Sequence, residues 1–277
     1  MHNDDWLPRH PRLRPGLRVV RRDSRHLQVG IDPADRLVLP DDQPARRLLA
    51  DLRDGRHPDL DDPSVRSRCR ELVQRGFVVD ADSLDRALRG PLPRESVLSA
   101  FAADGSSAAA RLAARGSARV AVEASGSWNA VMLRSMALAG LTVAAPGARR
   151  VAHLLVDPAD ELLDELVWRS EPHLVVSAMA GRITVGPFVS PGLTACSRCV
   201  TAHRCDRGPG DRVPSDPVLL QLAAAWAVRD LVSYVEGDLP STWSSTVVVD
   251  AALTLARQRW LRHAACGCHW GEELAAG

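Results

Sequence analysis

Val120-Ala121-Val122-Glu123-Ala124-Ser125-Gly126-Ser127-Trp128-Asn129 reads as a strand that runs through a small-residue turn into a helix. Dinucleotide- and ATP-binding α/β folds carry G-x-G-x-x-G at this place, where backbone N–H groups at a helix N-terminus hold phosphate. Only Gly126 remains of that pattern. Ala124 replaces the first glycine, and Trp128 and Asn129 crowd the positions where phosphate would approach the backbone. The next extended stretch, 141–144, ends in Ala145-Pro146-Gly147 and lacks the acid that would hold a ribose. Outward from this turn, strand and helix alternate: a strand over 118–122, a helix over 128–139, strands over 141–144 and 151–156, a helix over 160–168 and a strand over 173–177. Such alternation predicts an α/β domain over 118–277 built on a parallel sheet.

All 35 basic side chains are arginine, set against 34 acidic ones. The absence of lysine removes the P-loop lysine, Schiff-base chemistry and any desolvated lysine base. Together with the eroded turn, it leaves ATP and NAD outside the expectation. A net charge of +1 gives no case for a polyanion-binding protein as a whole. Residues 1–14 are polar and proline-spotted, without the apolar core of a signal peptide. The most apolar stretch, 218–228, contains Gln221 and meets Arg229 and Asp230, so it reads as a buried helix rather than a membrane span. Six cysteines without a signal peptide favour a reducing, cytoplasmic setting over a disulfide framework.

Upstream, extended segments over 17–22, 27–31 and 37–39 are broken by Asp23-Ser24 and Asp32-Pro33. A helical period follows, with Ala45, Leu48, Leu49 and Leu52 on one face, and a second helix after Pro63 turns Val65, Cys69, Leu72 and Val73 inward. Phe77-Val78-Val79 closes the unit. This order predicts a small winged-helix-like domain over 1–90. Residues 91–117, with two prolines and a small-residue tract, read as a linker.

Two close cysteine pairs carry the strongest chemical signal, Cys196 with Cys199 and Cys266 with Cys268. A two-residue gap places both sulfurs on one side of a tight turn, and Gly267 relaxes the backbone where the gap is one. Four thiolates from two distant segments suit a closed, tetrahedral, structural zinc site with no open position for catalysis. Four unrelated buried cysteines are the alternative. Cys205, His203 and His269 rank below the four as ligands, and Cys69 reads as a core residue. Asp157, Asp160 and Glu161 follow a strand and read as acids at a helix start. No G-x-S-x-G or H-E-x-x-H occurs, and the nine histidines do not cluster in sequence.

Residues 1–30 hold seven arginines against three aspartates, and the helix after Pro63 adds Arg66, Arg68, Arg70 and Arg75. A winged helix so charged could read DNA. Over 1–90, however, eighteen arginines nearly balance sixteen acids, which blunts non-specific DNA affinity. Capture of an extended peptide along the edge of the small sheet suits mixed charge better.

Three stretches then resemble a family. Val185-Gly186-Pro187-Phe188-Val189-Ser190-Pro191-Gly192-Leu193-Thr194-Ala195-Cys196-Ser197-Arg198-Cys199, with Thr201-Ala202-His203-Arg204 after it, is one. Trp260-Leu261-Arg262-His263-Ala264-Ala265-Cys266-Gly267-Cys268 is the second, and Pro11-Arg12-Leu13-Arg14-Pro15-Gly16 with Leu27-Gln28-Val29-Gly30 is the third. Together they look like the leader-peptide-binding ThiF-like proteins of azole-forming (TOMM and thiopeptide) peptide natural-product biosynthesis. The resemblance implies an α+β winged-helix-like peptide recognition domain fused to an α/β, degenerate Rossmann-type (ThiF-like) domain with structural zinc on Cys196, Cys199, Cys266 and Cys268. It implies that the chain captures the leader of a ribosomal precursor peptide on the third strand, Arg36, Leu37, Val38 and Leu39, and the helix 65–75. Arg66 and Arg70, on one face of that helix, would meet acidic leader side chains. The expected partner is a separate YcaO-type cyclodehydratase that uses ATP, this chain being its non-catalytic scaffold. A homodimer is admitted; a membrane and nucleic acid are not expected. The alternatives are an ATP-dependent adenylating enzyme and a DNA-binding regulator.

Overall fold

The computed structural model describes residues 5–179, 181–204, 216–264 and 266–269. The chain forms two compact units, Met1–Ala113 and Ala114–Gly277.

In the first unit, β2 (Val19–Arg21), β3 (His26–Asp32) and β4 (Asp35–Pro40) form an antiparallel sheet in the order β2-β3-β4, and β1 (Pro11–Leu13) pairs with β5 (Val78–Asp80). Helix α1 (Gln43–Asp54) starts where the Asp42 carboxylate accepts from the Ala45 N–H at 2.9 Å and stops at Gly55, φ +72°. Its buried set, Ala45, Leu48, Leu49 and Leu52, follows the helical period. Asp62 caps α2 (Pro63–Gln74) in the same way. Arg68 of α2 grips the Asp42 carboxylate with two nitrogens, at 2.6 and 2.8 Å, so one aspartate caps one helix and ties down the other.

Residues 91–117, expected as a linker, are helical instead. After α3 (Ala81–Leu88), α4 (Arg94–Asp104) and α5 (Ala108–Ser117) bend at a 3-10 turn over Gly105–Ser107. Val97, Phe101, Ala108 and Leu112 recur at helical spacing and bury a cluster with Val79 and Leu84. The alanines of this small-residue tract are strong helix formers once a few large side chains anchor them. Gly105, φ +55°, permits the bend: a Cβ there would lie 2.8 Å from the Gly76 carbonyl oxygen.

The second unit holds β6 (Arg119–Glu123), α6 (Gly126–Ala139), β7 (Thr142–Val143), β8 (Ala152–Val156), α7 (Asp160–Trp168), β9 (His173–Met179), β10 (Arg182–Val189), α8 (Ser197–Arg204), α9 (Pro217–Val235), β11 (Ser245–Asp250) and β12 (Leu255–Arg259). The sheet has seven strands in the order β12-β11-β10-β9-β8-β6-β7. Strands β7, β6, β8 and β9 run parallel, as expected; β10 to β12 are antiparallel, so the sheet is mixed rather than parallel. Short returns join β9 to β10 and β11 to β12, while α8 and α9 lie between β10 and its antiparallel neighbour β11.

Helices α6 and α9 share one apolar cluster with the sheet, while α7 packs Leu163 and Leu166 against Leu155 and Val175. By length and composition α9 could cross a membrane, yet Leu219, Ala223, Ala227 and Leu231 lie in the core. Asp230 of α9, also buried, accepts from the N–H groups of Ser241 and Thr242 at 2.8 and 2.9 Å and from the Thr242 hydroxyl, which satisfies its charge.

Candidate functional site

The Cys196 and Cys199 sulfurs lie at the start of α8, after the turn Ser190–Thr194 that ends β10. The Ser190 N–H donates to Thr194 Oγ1 at 2.8 Å, and the Ala195 N–H donates to Ser244 Oγ at 3.1 Å, anchoring the turn to the sheet. The second pair enters from β12 through Trp260, whose indole N–H donates to Thr246 Oγ1 at 2.9 Å. Cys266 and Cys268 then sit at and beside the 3-10 turn Gly267–His269.

All four sulfurs lie within 4.8 Å of one another, with Cys196 3.7 Å from Cys199 and 3.6 Å from Cys266, and Cys199 3.6 Å from Cys268. A tetrahedral Zn–S bond length near 2.3 Å requires sulfur separations of about 3.8 Å. The donor set therefore fits a four-thiolate zinc ion. Burial pushes the Cys196 thiol up to about 12 and the Cys268 thiol up as well. At Cys199 burial is the largest influence and raises the thiol, but hydrogen bonds from the backbone at His263, 3.3 Å from the sulfur, and at Cys196, with those of the Cys268 and Cys266 sulfurs, together outweigh it and the thiol is lowered. A divalent cation is the physical means of keeping four such sulfurs ionised side by side. His203, the rival ligand, instead has Nε2 3.0 Å from the Leu261 carbonyl oxygen. Cys205 lies outside the described residues, as does the side chain of His269.

Sequence distance hid another group. His153 and His173 are cross-strand partners on β8 and β9, both buried beneath α7. Glu171 joins them: its carboxylate meets His153 Nε2, and its carbonyl accepts from His173 Nδ1 at 3.0 Å. Desolvation pushes His173 down to about 4. His173 also lines a cavity of about 320 Å³ beside the cysteines, with Trp168 and Arg198 at its wall. No spacing rule finds this pair, because twenty residues separate the histidines in the chain.

At the β6–α6 turn, Gly126 has φ +56° and Ser125 makes no side-chain cap. Trp128, expected to crowd this turn, is buried in the core against the sheet, so Ser125, Gly126 and Ser127 remain exposed. Asp157 accepts from the Ala178 N–H at 3.1 Å, while Asp160 and Glu161 occupy the first turn of α7.

In the first unit, β4 is an edge strand with β3 as its neighbour. The Arg75 guanidinium donates to the Arg36 carbonyl at 3.0 Å across the outer edge, and by alternation the N–H and C=O of Val38 face the same way. The side chains of Arg36 and Val38 are exposed, whereas those of Leu37 and Leu39 are in the core. Arg66 is half-buried with Nε unpartnered, and Arg70 stacks over Trp6 at 5.0 Å. Arg75 is the residue at this edge that the helix periodicity did not distinguish.

No family profile and no curated protein sequence matches the chain. Solved structures do. The heterocyclase TruD superposes with a TM-score of 0.69 at 16% identity, over 94% of this chain and 42% of that one. A heterocyclase in complex with substrate and cofactor gives 0.69 at 14% identity, over 93% and 39%. MccB of E. coli with ATP gives 0.62 at 12% identity, over 94% and 99%. The chain thus spans about two fifths of the heterocyclases and the whole of MccB, and it shares their mixed α/β fold. Two expectations are corrected by this. A non-catalytic chain does not follow, because the proteins that carry this fold include heterocyclases. Nor is ATP excluded, since MccB holds it on the same fold; the loss of glycines is a poor guide where Trp128 turns inward and leaves the β6–α6 turn open.

Proposed function

We propose that the chain is an enzyme component in heterocycle formation on a ribosomal precursor peptide. The N-terminal unit, winged-helix-like, takes the leader as an added strand on β4 beside α2, and the C-terminal unit, ThiF-like and Rossmann-type, completes a heterocyclase with a YcaO-type cyclodehydratase in the cytoplasm. The observation that carries this reading is the likeness to TruD, which runs through 94% of this chain and 42% of that one. The free outer edge at Val38 supports the leader site, since main-chain pairing gives affinity and neighbouring side chains give specificity. Reconstitution tests it: chain, cyclodehydratase, ATP and precursor together should yield products lighter by one water per ring. Unchanged precursor mass, with both proteins folded and the leader bound, would reject it.

A second reading is ATP-dependent adenylation by this chain alone. The match to MccB over 99% of that protein's length, with ATP present, favours it, as does the exposed β6–α6 turn. Ser125, Gly126 and Ser127 would then offer the N-terminus of α6 to phosphate. Precursor-dependent pyrophosphate exchange by the purified chain selects this reading; exchange that needs the cyclodehydratase selects the first.

A further inference from the structure

The N-terminal unit has a second concave surface, away from β4. A cavity of about 280 Å³ opens where the β1–β2 connection, the end of α1, α3 and α4 meet. Arg12, Arg53 and Arg94 line it, all exposed, and among the described residues none of them forms an ion pair or side-chain hydrogen bond. Arg14 lines it too, but is committed to Asp35 and to the Phe77 ring. Among the described residues no aspartate or glutamate lines this cavity. Its floor is apolar: Leu17 belongs to the edge of the cluster under the three-stranded sheet, and Leu84 and Leu88 to the cluster of α3 and α4, so the opening lies on the seam between two cores.

Three like charges over leucines repel one another, and only solvent screening offsets this. The arrangement calls for an anionic ligand with an apolar portion. A second cavity of about 370 Å³ shares Val19 and Arg53 with the first and continues along β2 and α1. Among the described residues its one carboxylate, Asp41, is held by Arg21 and Arg46. A groove of this extent exceeds a single small anion and fits a chain. β2 is the edge of its sheet opposite β4, so this surface does not depend on the β4 reading.

We infer that this groove binds an extended acidic peptide segment, with carboxylates on Arg12, Arg53 and Arg94 and an apolar side chain among the leucines. The probe is a fluorescein-labelled peptide of alternating glutamate and leucine, titrated into the full chain by anisotropy. Its glutamine–leucine counterpart should bind at least about tenfold more weakly, and Arg53→Glu and Arg94→Glu should each cost about tenfold. Arg94→Gln, in case a reversal harms folding, should weaken binding in the same direction, and Arg94→Lys should retain most of it. Val38→Pro should leave binding of this probe unchanged, which separates it from failure of the leader site. Equal binding of the neutral peptide, indifference to the arginine changes in folded protein, displacement by polyphosphate at equal potency, or no binding at millimolar peptide would each overturn the inference.

Discussion

Cys196 and Cys266 approach within 3.6 Å from segments seventy residues apart, and little but a shared ion keeps such thiols together as thiolates. Elemental analysis of the purified chain should find about one zinc per molecule. Cys196→Ser or Cys266→Ser should reduce that to near zero and lower the melting temperature. His173 makes a pH prediction. Its folded form titrates at about 4, below the ordinary 6.5, so between these values the unfolded chain binds a proton that the folded chain does not. Stability from the neutral, buried ring is therefore full above pH 6.5 and declines toward pH 4. Urea midpoints at pH 7.5 and 5 should differ in that direction, and His173→Leu should flatten the difference. The cysteine pairs are visible in sequence because local spacing brings each pair to one turn. The histidine pair is not, because β8 and β9 become neighbours only through a crossover.

At the scale of elements, β4 bonds β3 through Leu37 and Leu39 and leaves Val38 for an incoming strand. Val38→Pro removes an outward N–H without touching the β3 ladder. Leader affinity, read by anisotropy, should fall about three- to tenfold while the fold survives. The end of α5 is fastened to α9 by Arg115 and Glu236, both buried. Replacing Arg115 with methionine would take the nearest cation from the buried Glu236 carboxylate and leave it Arg229 at 4.0 Å, and chemical denaturation should show a loss of about 3 kcal/mol or less. The faces of α1 and α2 are legible in sequence, since aspartate caps, early prolines and apolar residues at helical spacing coincide. Helices α4 and α5 are not: with few large side chains their period is faint, and the contacts that order them come from β5 and α3.

Across the whole molecule, the two units bury separate cores. Residues 1–113 expressed alone should give cooperative melting and bind the leader as tightly as the full chain; a molten fragment in circular dichroism and calorimetry would count against an autonomous unit. The strand–turn–helix at 120–129 and the repeats of that pattern after it establish an α/β unit, because backbone periodicity is a local property. The same stretch misleads about ATP, since whether Trp128 blocks a phosphate depends on which face of α6 the core claims. Composition likewise excludes every lysine-based chemistry, whatever the fold. Which cysteines meet, which arginines stay unpaired over leucines, and that three antiparallel strands complete the sheet are properties of distant segments brought together. Long-range packing sets them, and the energy that selects among such packings is summed over the whole core rather than written in any one window of residues.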